Sequence, residues 1–189
     1  MILITNPVDI LTHAAQKIFA LPPSQIFGSG TVLDSARLRW RLADFFKKNI
    51  SEISGFVLGE HGDSEFVAWS TVENSEKIPT EKKIEIENEV RRAAYEIIAG
   101  KGATFFGIGA AAAEILAAIL RDEKKILPIS ANLCGQFSIE KMAIGVPAKI
   151  GKRGVEKISE IFLPAAEKKL LQNSAEKLQK IWQNFENKI

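Results

Sequence analysis

The sequence predicts an α+β fold in which an antiparallel sheet packs against long helices. Segments with apolar residues at helical spacing alternate with short apolar runs, and the last two of these runs flank Gly151-Lys152-Arg153-Gly154, a hairpin turn signal. With 46% hydrophobic residues in 189, the chain can bury a core alone, and one domain is the natural count.

Ile2-Leu3-Ile4 reads as the tail of a buried strand. A helix follows from about Val8 to Ala20 and breaks at Pro22-Pro23. Leu33, Ala36, Leu38, Leu42, Phe45 and Phe46 mark a second helix that runs to about Lys48. Ser54 to Leu58 is a strand and Glu65 to Thr71 a short extended segment. Helices over Thr80 to Ala99 and Ala103 to Arg121 meet near Gly100-Lys101-Gly102. Strands are expected at Leu127 to Cys134, Met142 to Ile150 and Val155 to Phe162. After Leu163-Pro164 a last helix carries the stripe Leu171, Ala175, Leu178, Trp182 and Phe185.

Three segments carry chemistry. In Gly59-Glu60-His61-Gly62-Asp63-Ser64-Glu65 a histidine stands between two glycines after the run Phe56-Val57-Leu58, so a strand that turns sharply presents the imidazole at a rim. Imidazole alone titrates near neutrality when unperturbed, which makes His61 a candidate acid/base; a solvated or capping histidine is the ordinary alternative in a turn. Asp34 and Arg37, three apart on the second helix, share one face. Alone they are a surface pair; beside a histidine, the aspartate fixes a tautomer and the guanidinium grips a carboxylate through two parallel hydrogen bonds. Asn6, in Thr5-Asn6-Pro7-Val8-Asp9, sits where strand gives way to helix and can donate and accept, or simply cap the helix; Asp9 favours the positive helix end.

Taken together and in this order, Ile4-Thr5-Asn6-Pro7-Val8-Asp9, Leu33-Asp34-Ser35-Ala36-Arg37 and Gly59 to Glu65 resemble the catalytic half of the lactate/malate dehydrogenases. The resemblance continues through Gly102 to Gly109, Leu127-Pro128-Ile129-Ser130 and Gly145-Val146-Pro147-Ala148. It implies a catalytic domain over residues 6–189, with residues 1–5 a remnant strand of an NAD-binding domain. It implies His61 as proton donor and acceptor, Asp34 as its partner, and Arg37 as clamp on the substrate carboxylate. Asn6 would contact cofactor and substrate, Thr104 would border the substrate, and Ile108 would pack on the nicotinamide. The implied reaction is reversible hydride transfer between NADH and a small 2-oxo acid. Glu60 and Ser64-Glu65 look more like L-lactate than malate dehydrogenases, with malate dehydrogenase the alternative within the family. The resemblance also implies a homo-oligomer, commonly a tetramer. Arg39 matches one position associated with sugar-phosphate activation in some bacterial members, whereas Ser54 stands where they carry histidine.

The family's Rossmann half, with its Gly-x-Gly-x-x-Gly turn and a loop arginine that polarises the substrate carbonyl, has no counterpart here. Gly107-Ile108-Gly109-Ala110-Ala111-Ala112 fits the glycine pattern but follows the charged helical stretch Glu85 to Lys101 rather than a strand, so these glycines read as close helix packing. Gly28-Ser29-Gly30 reads as a loop. The isolated chain is expected to bind NADH poorly and to turn over little. A folded domain that only associates, and a small nucleotide-binding module built on the Gly107 turn, are the competing readings.

The net charge of +2 comes from interspersed Lys, Arg and Glu, so no basic stripe invites nucleic acid. One cysteine, Cys134, permits no internal disulfide and reads as a buried thiol in its strand. His13 reads as a packing residue; with only two histidines and no cysteine pair there is no metal-ligand spacing. Ala110 to Ala113 reads as part of a buried helix. No run of 18 apolar residues and no signal-like start are present, so a cytoplasmic protein is expected.

Overall fold

A computed structural model describes residues 1–186. Five strands form one sheet in the order β1 (Ile2–Leu3), β2 (Phe27–Gly28), β5 (Lys125–Cys134), β6 (Glu140–Gly151), β7 (Gly154–Ile158). The first pair is parallel and the others are antiparallel. A separate antiparallel ribbon joins β3 (Phe56–Leu58) to β4 (Phe66–Ala68). Five helices complete the described fold: α1 (Val8–Ile18), α2 (Val32–Phe46), α3 (Thr80–Lys101), α4 (Phe106–Leu120) and α5 (Ala165–Glu186). The architecture is the α+β arrangement that the sequence predicts.

The β6–β7 hairpin closes through Gly151 and Gly154, where φ of +89° at Gly154 suits a residue without Cβ. Helices α1, α4 and α5 bury apolar stripes against β5 and β6 to make the main core, in which Leu171, Ala175, Leu178 and Trp182 lie with Ile129, Leu133 and Ile144. His13 is buried there, its ring edge-on to Trp182 at 4.7 Å between centroids, and burial lowers its pKa. A second cluster fills the space between α2, α3 and the ribbon, with Leu38, Leu42, Val57, Val67, Ile86 and Val90 at its centre.

Five expectations are corrected. Cys134 is exposed: alternation along β5 turns Leu127, Ile129, Ala131 and Leu133 to the core, which leaves Cys134 on the opposite face at the strand's end. The start of the chain is not buried, because β1 is an edge strand and Ile4 beyond it is exposed. Helix α4 is buried on one stripe only, Ala111, Ile115 and Ala118; its opposite face is equally apolar but open, with Phe106 78% and Leu120 82% exposed. Phe185, one turn past Trp182, is likewise exposed. Gly28 belongs to β2 rather than to a loop, pressed between Thr12 and Ser130, where a Cβ would lie 2.5 Å from Thr12 Oγ1. Residues 187–189 of the domain expected over 6–189 lie outside the described residues.

Candidate active site

Strand β3 is short, and its central residue is bound to α2 rather than to the five-stranded sheet. Val57 N–H donates to Ser35 Oγ at 2.9 Å, and Thr31 Oγ1–H donates to Val57 C=O at 2.6 Å. These bonds dock the first turn of α2, which carries Asp34, beside the loop that leaves β3. The loop begins at Gly59, whose φ of +99° favours glycine and whose N–H and C=O each bond Gly145 of β6 at 3.0 Å. Glu60 N–H donates to Ser174 Oγ of α5 at 2.8 Å, and His61 N–H donates to Asp9 Oδ2 of α1 at 2.8 Å. Three consecutive amides are thus tied to three different elements.

The imidazole of His61 is thereby brought to Asp34, with Nδ1 2.7 Å from Oδ2. Arg37 Nη1 donates to the other oxygen, Oδ1, at 3.0 Å, the i to i+3 pairing that the sequence predicts. Asp34 is 2% exposed, whereas the His61 side chain keeps 24% of its surface open. Burial alone would lower the His61 pKa. The hydrogen bond and charge of Asp34, aided by Glu65 and Asp9, outweigh it and raise the imidazole to about 9. At neutral pH the ring is an imidazolium that donates Nδ1–H to Asp34.

These groups open on a cleft of about 180 Å³ lined by Asn6, Asp34, Arg37, His61, Glu65 and Arg91, with Ala94, Tyr95 and Ile98 of α3 as its apolar wall. Asn6 makes no side-chain capping bond to α1; Pro7 holds the cap position and Val8 opens the helix. Thr104 and Ile108 are not among the residues lining this cleft. Thr104 sits between α3 and α4, and Ile108 packs, half-buried, against the main core. Gly107 faces Leu33, 3.2 Å from where a Cβ would lie, as expected for close helix packing, whereas Gly109, read the same way, is corrected: a Cβ there would meet nothing within 4 Å.

The sequence reading overlooks three members of the site. Glu65 is buried, with Oε2 3.9 Å from His61 Nδ1; its burial and the nearby charge of Asp34 raise its pKa. Its position four after His61 is the signal that could have found it. Arg91 donates to the Glu65 carbonyl from a helix whose many charges hide it. Asp9 points inward instead of serving the helix end, as a first-turn acid ordinarily does. Asp34, His61 and Glu65 offer ligand atoms within 4.8 Å of one another. Arg37 already donates to Asp34 Oδ1 and His61 Nδ1 lies 2.7 Å from Oδ2, so a metal there would compete with both contacts.

Residues 31–189 match the family described as lactate/malate dehydrogenase, alpha/beta C-terminal domain. The chain is 45% identical over 185 residues to L-lactate dehydrogenase 1 of Listeria monocytogenes, covering 94% of this chain and 59% of that protein. The structure superimposes on that of the minor L-lactate dehydrogenase of Enterococcus mundtii with a TM-score of 0.92 at 34% identity, over 97% of this chain and 62% of the other. A lactate dehydrogenase from a Medee basin deep-sea metagenome library gives 0.91 at 41% identity, over 95% and 61%. The chain therefore spans about three fifths of the length of these relatives. By the extent of the sequence match and of the superposition, this chain belongs to the lactate/malate dehydrogenase family.

Proposed function

We propose that this chain supplies the catalytic half of an NAD-dependent L-lactate dehydrogenase, reducing pyruvate reversibly. The observation that carries this reading is the convergence of His61, Asp34 and Arg37, from two separate segments, on one small cleft with Asn6 at its edge. When bound, the nicotinamide supplies or takes up hydride at the substrate carbonyl carbon. The work of the side chains follows from their chemistry. Arg37 binds the substrate carboxylate, its other donors remaining beside the one used on Asp34. His61 donates its Nε2 proton to the carbonyl oxygen as the alkoxide forms, and takes it back in the reverse direction. Asp34 holds the ring by Nδ1 and stabilises its charged form.

The cleft fits the small-acid end of this chemistry. Its volume of about 180 Å³ suits a three-carbon acid and not a dinucleotide. Asn6 and Ile108 would meet the nicotinamide, and Thr104 would border the substrate. Gly107 and Gly109 lie inside the first turn of α4, which follows α3 rather than a strand, so they build no pyrophosphate cradle. Accordingly we infer that the 189 residues alone bind NADH weakly and turn over pyruvate negligibly. The open apolar face of α4 suits association with further protein surface, in line with a homo-oligomer. No described helix is long and apolar enough to cross a membrane.

The test mixes this chain with a separately expressed nucleotide-binding half of a relative and follows NADH oxidation with pyruvate and with oxaloacetate. Activity that appears only on mixing, prefers pyruvate and is lost in His61→Ala supports the proposal. A preference for oxaloacetate would move the chain to malate dehydrogenase, and activity indifferent to His61→Ala would overturn the mechanism.

A further inference from the structure

We infer that Asp9 is a positioning residue for His61: its carboxyl group, fixed by Ser130, holds the backbone of the histidine so that the imidazole is aimed at Asp34. The inference rests on the proposed catalytic role of His61 and adds to it a group that never meets substrate.

Asp9 lies in the first turn of α1, 2% exposed, and its side chain caps none of its own helix. Both oxygens are engaged by other elements. Oδ2 accepts His61 N–H at 2.8 Å, and Oδ1 pairs with Ser130 Oγ, fully buried in β5, at 2.5 Å. A neutral side chain could fill this place at less cost, since an ionised carboxyl loses hydration when buried. What the carboxyl adds is a charge-assisted acceptor for one chosen amide, stronger than a carbonyl or hydroxyl would be.

That amide is the one that decides where the imidazole points. Gly59 and Glu60 are anchored by a carbonyl of β6 and a hydroxyl of α5, and Gly62, at φ +157°, lets the chain turn away immediately after the histidine. Between these anchors His61 has one backbone donor, and Asp9 takes it. With the backbone held, Nδ1 meets Asp34 Oδ2 and Nε2 is left for the cleft. Asp9 adds a second influence through its charge. Burial raises its pKa to about 6, against the lowering effect of its bonds to Ser130 and His61, so it is largely ionised at neutral pH. The groups that act on His61 are Asp34 from α2, Glu65 just before β4 and Asp9 from α1; Glu60 faces Asp9 from the loop.

Position and charge separate in the variants. Asp9→Asn keeps an acceptor for His61 N–H and offers an amide to Ser130 Oγ, so it removes charge alone. Asp9→Ala removes both. The unaltered 189-residue chain and each variant are titrated by NMR, which follows the ring protons of two histidines, His13 and His61, with the Nδ1–H···Asp34 proton as a low-field marker. His61→Gln assigns the signals. Asp9→Asn is expected to lower the His61 pKa by less than about one unit and to keep the low-field proton. Asp9→Ala is expected to lower the pKa further and to lose that proton, with the His13 resonance and far-UV dichroism unchanged. Equal shifts in the two variants, or a low-field proton that survives in Asp9→Ala, overturn the positioning role. Should Asp9→Ala not fold, Ser130→Ala decides: a weakened low-field proton supports the inference and an unchanged one overturns it. Because these readouts need no turnover, failure of the dehydrogenase reading in the mixing assay is seen separately from failure of Asp9 to position His61.

Discussion

Gly59 and Gly145 exchange two backbone hydrogen bonds of 3.0 Å, a bridge that fastens the β3–β4 ribbon to β6 two residues before His61. A Cβ on Gly145 would lie 2.6 Å from the Gly59 carbonyl oxygen and 3.0 Å from Thr31 Oγ1, so both the bridge and the anchor of α2 must shift. Gly145→Ala is therefore expected to destabilise the chain by about 2–4 kcal/mol and to lower the His61 pKa. Gly109→Ala is the control: a Cβ there meets nothing within 4 Å, and the helix gains about 0.5–1 kcal/mol. Urea unfolding of both variants checks the pair, and a Gly145→Ala chain as stable as the parent contradicts the bridge's role.

Asp34 bridges an imidazolium and a guanidinium through its two oxygens. Asp34→Asn keeps the size of the group and removes its charge, so burial is opposed only by Glu65 and Asp9. The His61 pKa should fall from about 9 by about 1–3 units, read from the histidine ring protons. In the mixed enzyme, oxo-acid reduction at pH 7.5 should fall with the population of imidazolium. A pKa unmoved by this substitution would mean that Asp34 is not what holds the ring charged.

Stability should decline as pH rises. His61 is raised from its ordinary 6.5 to about 9, so the folded chain holds a proton that the unfolded chain has lost across that window. Its contribution is fully present below pH 6.5 and is gone once pH has passed about 9, a loss of roughly 3 kcal/mol. Asp9, raised to about 6, acts with the same sign between pH 3.8 and 6, and the raised Glu65 adds to the slope above its ordinary range. Urea midpoints from pH 6.5 to 9.5, above the range in which the lowered His13 acts with opposite sign, should fall steadily, and His61→Gln should reduce the slope by about one proton. A flat profile in the parent chain between pH 6.5 and 9.5 refutes the assignment.

The helices and the hairpin were legible because their signals are local: apolar spacing over α2 and α5, prolines after α1, glycines at the β6–β7 turn. The His61, Asp34 and Arg37 grouping was legible as a pattern of residue types, although its 2.7 Å contact depends on Thr31 and Ser35 docking α2 onto β3. What escaped was set by distant contacts. Asp9 reads as a helix-end acid until Ser130, 121 residues away, is seen to face it. Helix α4 is apolar all round, so spacing cannot say which stripe is covered.

Cys134 escaped for a different reason: a lone cysteine reads as buried by residue type, yet it ends β5 on the face opposite the buried Leu133. The folded chain should react with one equivalent of a disulfide thiol reagent in native buffer, within about tenfold of the rate for the urea-unfolded chain. The chain has a single cysteine, so the count is unambiguous. Labelling that requires denaturant would return Cys134 to the interior.

Arg37 gives the most direct test of substrate binding. Its guanidinium has one nitrogen on Asp34 and belongs to the cleft lining, with most of the side chain covered. Lysine keeps the charge and the reach toward Asp34 but cannot make two parallel bonds to a carboxylate. In the mixed enzyme, Arg37→Lys should raise KM for the oxo acid at least about tenfold, corresponding to about 1.4 kcal/mol or more of lost binding. The His61 pKa should change little, because its hydrogen bond to Asp34 at Nδ1 is left in place. An unchanged KM would place the substrate carboxylate on another cation, and Arg91 on the facing helix is then the next side chain to replace.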